Sequence, residues 1–223
     1  MPKAIFIDFY GTVVHEDGAV IADITEQIYN TGTAQTRSDI GTFWWNEFQT
    51  LFQSSYGDHF QPQRDLETES LLRTLEKFQS PADAETLSDR MFAHWTHPPI
   101  FEESKQFFET CPLPIYIVSN IDRDDILQAV QHHGLTPAGI ITSEDAKAYK
   151  PRKEIFEFAL KIAGLSPKQV IHIGDSLSSD VSGAQSCGIQ AVWINRSKRA
   201  VPNGVVSVSN LMDLLELHKI KTK

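Results

Sequence analysis

A carboxylate at the end of a buried strand is placed to act as a nucleophile, and Asp8 has that setting. It ends the apolar run Ala4-Ile5-Phe6-Ile7 and precedes Phe9-Tyr10-Gly11-Thr12. A side chain there points into the crevice where open α/β sheets bind ligands, and Gly11 lets the backbone turn sharply beside it. Taken alone, Asp8 reads more readily as a turn former that ends the strand. Its weight comes from further segments that follow in order. Ser119-Asn120 succeeds the run Ile115-Tyr116-Ile117-Val118, and its hydroxyl and amide can bind anionic oxygens or cap the next helix. Asp122, Asp124 and Asp125 then favour that helix's dipole. Lys150 stands immediately before Pro151, which can open a helix at its first position and so hold the lysine outside it. His172-Ile173-Gly174-Asp175 again ends a strand in glycine plus carboxylate, and Asp180 follows on the opening turn of the next helix.

If the strands before Asp8, Ser119 and Asp175 are neighbours, Asp8, Asp175 and Asp180 converge with Lys150 and Ser119 around them. Bare carboxylates in one desolvated crevice raise each other's pKa and cost stability, and a divalent cation resolves that conflict. Hard oxygen donors without histidine or cysteine select Mg²⁺. His172 reads as a packed core residue.

These residues need a scaffold. From residue 99 onward short apolar runs alternate with amphipathic stretches, the pattern of a βα repeat with a parallel sheet. The spacing predicts strands at 3–7, 115–118, 139–142, 170–173, 190–194 and about 205–208, giving a sheet of at least five members. Helices are expected at 124–133, 153–163, 179–186 and 210–218. Residues 16–97 break the rhythm and read as helices at 19–29, 38–52, 66–78 and 82–95. The expected division is a Rossmann-like α/β core of residues 1–15 and 98–223 with a small helical cap at 16–97. Trp44, Trp45 and Trp95 lie in this helical stretch, and helical spacing assigns them to its core.

The chain has 223 residues, 41% of them hydrophobic and 22% charged, which suits one sizeable core with an appendage. A formal net charge of −9 argues against nucleic acid or an anionic membrane as partner. The basic clusters Arg196-Ser197-Lys198-Arg199 and Lys219 to Lys223 read as solvated surface. No apolar run approaches the ~20 residues of a membrane span, and no signal-peptide pattern is seen, so a cytoplasmic protein is expected. Cys111 and Cys187 are expected to be buried free thiols.

Together the segments Asp8-Phe9-Tyr10-Gly11-Thr12-Val13, Ser119-Asn120, Lys150-Pro151 and Gly174-Asp175-Ser176 through Asp180 resemble the motifs of the haloacid dehalogenase-like (HAD) hydrolase superfamily. The resemblance covers nearly the whole chain. It implies a Rossmann-like core, a helical cap inserted after the first strand, and an aspartate that forms a covalent intermediate. Transferred by position, Asp8 attacks the substrate, and Asp8, the Tyr10 carbonyl and Asp175 hold Mg²⁺. Thr12 and Ser119 bind phosphoryl oxygens, Lys150 offsets charge, and Asp180 orients Lys150 or a metal-bound water.

One position departs from the phosphatase pattern, which usually has a second aspartate two residues after the nucleophile as acid and base. This chain has Tyr10 there, as in the metal-independent 2-haloacid dehalogenase branch. That branch, however, carries serine and asparagine where this chain has Asp175 and, nearby, Ser176. It has a tyrosine at the position of Phe156, and on a cap helix an arginine that the stretch Phe43-Trp44-Trp45-Asn46-Glu47 lacks, although Arg37 is close. The resemblance therefore implies a Mg²⁺-dependent phosphatase of a small phosphorylated metabolite, monomeric or homodimeric. The alternatives are a dehalogenase, or a HAD-fold binding protein with weak turnover.

Overall fold

The computed structural model describes residues 2–217. In chain order the elements are β1 (Ala4–Ile7), α1 (Gly18–Thr31), α2 (Arg37–Ser54), α3 (Gln63–Lys77), α4 (Ala84–Thr96), α5 (Ser104–Thr110) and β2 (Ile115–Ser119). They continue with α6 (Arg123–His133), β3 (Gly139–Thr142), α7 (Ser143–Ala146), α8 (Lys153–Ala163) and β4 (Val170–Gly174). A π-helical turn over Leu177–Ser182 runs into α9 (Gly183–Ser186), and β5 (Gln190–Ile194), β6 (Val206–Val208) and α10 (Leu211–Leu217) follow. The expected helix end at His218 and the basic run Lys219 to Lys223 lie outside the described residues. No helix among the described residues is long and apolar enough to cross a membrane.

Asp17–Pro98 and Ile121–His132 form one compact helical unit, and the remaining described residues form an α/β unit. In the α/β unit a six-stranded parallel sheet has the order β3-β2-β1-β4-β5-β6. The β1 run Ala-Ile-Phe-Ile is buried at every position, as is β4, because strands of a parallel sheet are covered on both faces. Ile7 pairs with Ile117 on one side and Ile173 on the other, so β1, β2 and β4 end at one level. The chain leaves β1 toward β2 and β3 and returns to its other side for β4 to β6. The carboxyl end of β1 is thus a topological switch point, where such sheets open a ligand crevice.

In the helical unit, buried side chains recur every fourth residue: Ile24 and Ile28, Ile40 with Trp44 and Phe48, Leu71 and Leu75, Leu87 with Met91 and Trp95. This spacing lines one face of each helix with apolar groups. Trp45 departs from the core expectation, being 60% exposed. The unit also holds α6. Both Asp122 oxygens accept main-chain N–H bonds from Gln63 and Arg64 in the first turn of α3, at 2.7 and 2.9 Å. Arg64 pairs with Asp125 and stacks over Phe92, and the His132 ring meets His97. Asp124 and Asp125 stand in the first turn of α6, as the dipole reading expects, and Asp122 and Asp125 in addition tie α3 to the start of α6.

Candidate active site

Asp8 directly follows β1, and its N–H still bonds the carbonyl of Ile173 on β4, so the sheet fixes its backbone. The chain then wraps tightly: Thr12, Val13 and Val14 all donate to the carbonyl of Phe9, and Gly11 turns with φ +83°. The wrap places the Thr12 hydroxyl 3.1 Å from Asp8 Oδ2. Lys150 Nζ lies 2.6 Å from Asp8 Oδ1 and 2.6 Å from Asp180 Oδ1, and all three side chains are buried. Residues distant in sequence thus form one charged network.

Lys150 is held by its main chain. Asn120 accepts its N–H at Oδ1, 2.6 Å away, and donates from Nδ2 to its carbonyl. The Asn120 amide thus grips the Lys150 backbone at both ends, a use the sequence did not suggest, and keeps its second Nδ2 proton for another acceptor. Thr12 likewise donates to Asp8 and is fully buried. Ser119 is buried at the end of β2, level with Thr142. Pro151 does not open α8, which starts at Lys153; the Lys150-Pro151 bond is cis and belongs to the preceding turn.

Asp180 sits on the π-helical turn rather than on an α-helix, and it accepts further bonds from His172 Nε2 at 3.0 Å and the Ser176 N–H. His172 is fully buried, as expected of a core residue, yet it also serves the site by fixing Asp180. Asp180 packs so closely on β4 that a Cβ at Gly174 would lie 2.2 Å from its Cγ. Glycine is required there by close approach. Phe156 stands edge-on to the His172 ring, a packing role.

The three carboxylates differ electrostatically. Burial pushes the Asp180 carboxyl up, but Lys150 and His172 outweigh it and hold the group well below the usual range. Asp8 is raised, because burial and the charge of Asp180 exceed the pull of Lys150. Asp175 is pushed up to about 8 by burial and by the charges of Asp8 and Asp180. Lys150 is raised: burial opposes its charge, and Asp180 and Asp8 more than restore it. One ammonium therefore serves three acids, and the deficit falls on the side of Asp8 and Asp175.

Ligand oxygens of Asp8, Asp175 and Asp180 lie within 4.8 Å of one another. Asp180 has its oxygens committed to Lys150, His172 and Ser176, which leaves Asp8 and Asp175 as the natural pair for a cation. A Cβ at Gly11 would stand 2.7 Å from the Asp175 carboxyl, so glycine also lets this second acid close in. The donor set is hard oxygen throughout and short of positive charge, and it fits a divalent ion such as Mg²⁺.

Sequence reasoning missed a set of supports on β5 and just after it. Trp193 Nε1 donates to the Asp175 carbonyl at 2.7 Å. Arg196, expected on solvated surface, stacks over Phe101, pairs with Glu103 and donates to the Thr12 carbonyl. Its place just past the carboxyl end of a sheet strand was the available signal. Cys187 is half-buried rather than buried; it and Cys111 are free thiols.

A family model for haloacid dehalogenase-like hydrolases matches residues 2–188. The chain is 32% identical over 85 residues to the pyrimidine 5′-nucleotidase YjjG of Escherichia coli, an alignment covering 38% of each protein. Alignments to the first curated relatives span about half of their length or less. Among solved structures, the L-2-haloacid dehalogenase of Xanthobacter autotrophicus has a TM-score of 0.77 at 21% identity, over 98% of this chain and 99% of that one. The HAD-hydrolase YfnB of Bacillus subtilis, solved bound to magnesium, has a TM-score of 0.74 at 19% identity, again over 98% and 99%. At these identities the structural likeness speaks for the fold.

Proposed function

The chain belongs to the haloacid dehalogenase-like hydrolases, and from that premise we propose that it is a Mg²⁺-dependent phosphatase of a small phosphorylated metabolite. The observation that carries this reading is Asp175 beside Asp8, two acids left without a cation once Lys150 is shared with Asp180. In the proposed reaction an Asp8 oxygen attacks phosphorus, and the bond from phosphorus to the ester oxygen breaks. The leaving alkoxide takes a proton, for which the Tyr10 phenol is the nearest candidate in sequence. Water then cleaves the aspartyl-phosphate and releases phosphate. Lys150 holds Asp8 in place and offsets charge on the transferring group, and Asp180 keeps Lys150 charged and aimed. Asp8, Asp175 and the Tyr10 carbonyl would hold Mg²⁺, which supplies further charge neutralisation at the phosphoryl oxygens. Ser119 would bind a phosphoryl oxygen. The helical unit would supply specificity, the role that the resemblance gives a cap.

A dehalogenase reading is favoured by Tyr10. Against it, Arg37 is committed on the protein surface to Glu26 and to the Tyr29 ring, and Phe156 to packing. The deciding experiment compares Mg²⁺-dependent release of p-nitrophenol from its phosphate with chloride release from 2-chloropropionate in EDTA. Phosphate-ester turnover lost on chelation supports the proposal, and chelator-resistant chloride release replaces it with the second reading. Failure of both across a broad substrate panel leaves a binding protein.

Tyr10→Asp is expected to raise phosphatase turnover, by about 10²-fold, because a phenol is a poor base for activating water near neutral pH whereas a carboxylate is not. An unchanged or lower rate in a folded variant counts against this assignment.

Metal binding should show in stability. Asp175 has a folded pKa of about 8, above its unfolded value, so without metal it loses stability as pH rises from the ordinary carboxylate range to about 8. Mg²⁺ at a hundred times its Kd should raise Tm by roughly 5 °C. The shift should be larger near pH 8 than near pH 5.5, since protons and metal compete for Asp175. A melting curve indifferent to Mg²⁺ at both values would remove Asp175 from the metal site.

A further inference from the structure

The helical unit contains a cavity of about 260 Å³ walled by Ile21, Trp44, Trp45 and Phe48 together with Asp17 and Glu67. Such a lining is unusual for a packing defect, because apolar voids are not normally edged by acids. The Asp17 carboxylate accepts a bond from Trp95 Nε1 at 2.8 Å. The Glu67 carboxyl, partly exposed along this wall, receives no hydrogen bond from any described residue, although its backbone carbonyl takes one from Ser70. A carboxyl set among aromatic rings without a protein donor can take its partner from outside.

The chemistry of that partner follows from the walls. Aromatic rings and carboxylates both attract positive charge, the rings through their quadrupoles. An anion would be repelled, and a neutral apolar guest would leave the Glu67 carboxyl without a partner. A small hydrated metal ion would forfeit water against Ile21, Phe48 and the tryptophans. We infer that the cavity binds a small organic cation of the substituted ammonium class, its apolar body against Trp44, Trp45 and Phe48 and its charge shared by Glu67 and Asp17. None of these residues takes part in the proposed phosphoryl transfer, so the inference stands or falls separately.

Burial, with a smaller push from Asp17, raises the Glu67 carboxyl to about 8. Asp17 is the titratable residue that faces it from the start of α1, and α2 contributes Gly41, Trp44, Trp45 and Phe48 to the lining. A cation gains most from an ionised Glu67, so affinity should rise from about pH 6 to about pH 8 and binding near neutrality should release a proton.

Choline is the probe and its neutral isostere 3,3-dimethylbutan-1-ol the control, titrated into the full chain by calorimetry and tryptophan fluorescence. Choline should bind about tenfold or more tightly than the alcohol, and Glu67→Gln should weaken it about tenfold and flatten its pH dependence. Trp45→Ala, at an exposed ring that the fold can spare, should weaken binding as well, whereas Asp8→Asn should leave it unchanged. Equal binding of choline and the alcohol, indifference to Glu67→Gln, or no binding of choline to the folded protein would each overturn the inference.

Discussion

Asp8→Asn should lower phosphate-ester turnover by about 10⁴-fold or more, the scale on which enzymes lose rate when a nucleophile is removed, while the protein stays folded. The amide keeps the shape of the carboxylate. Its oxygen can still accept from Lys150, and the Thr12 hydroxyl can rotate to accept from the new amide N–H. Asp180 retains Lys150 at 2.6 Å, so the network loses charge without losing its anchor. Removing the Asp8 charge also relieves Asp175, for which it is a principal source of repulsion, so metal-free Asp8→Asn should melt no lower than wild type near pH 8. Turnover and melting measured on one preparation check both halves. Activity within tenfold of wild type would remove Asp8 as nucleophile, and a much lower melting point would make it chiefly structural. Acid quenching of wild type during turnover should trap a phosphoryl group on Asp8, an outcome that the dehalogenase reading does not allow.

What the sequence reveals of this site is set by how local the determining forces are. The Ala4–Ile7 and Val170–Gly174 strands announce themselves as unbroken apolar runs because both faces of the sheet are covered, and the acids that follow them are legible for the same reason. The βα rhythm likewise brought Asp8, Lys150 and Asp180 into one prospective crevice. The use of Asn120 was not legible, since a side chain bonding the backbone of a residue thirty positions away leaves no periodic trace. The same holds for Asp122 on the first turn of α3, and for Arg196 under the loop after β1. The helix expected over 179–186 holds as α9 from Gly183, while Ser179–Ser182 belong to the π-helical turn, because their composition suits either; it is the packing of Asp180 on Gly174 and its three bonding partners that set the backbone there. Short α5 and α7 escaped because one or two turns carry too little periodicity to register.

Lys150→Met tests the other half of the network, and its signature is a divergence between stability and rate. Lys150 is 2% exposed, and methionine can fill its apolar path without the ammonium. Two buried carboxylates then lose their shared cation, which should cost about 3–5 kcal/mol near pH 8. In wild type the depressed Asp180 pKa contributes stability above the ordinary carboxylate range, lost only as pH falls through its low folded value, and the raised Lys150 pKa holds its own contribution to high pH. In the variant burial is opposed at Asp8 by His172 alone, and is less opposed at Asp180. Folded pKa values above the unfolded ones reverse the sign, so the deficit should shrink as pH falls and the acids take up protons. Urea unfolding near pH 8 and near pH 5 should show that deficit at least halved at the lower value. An equal deficit at both would mean that packing, and not charge, was lost. Turnover should follow the opposite course: down about 10²- to 10³-fold near neutrality for want of the positive charge, and lower still on acidification, because a protonated Asp8 cannot attack phosphorus.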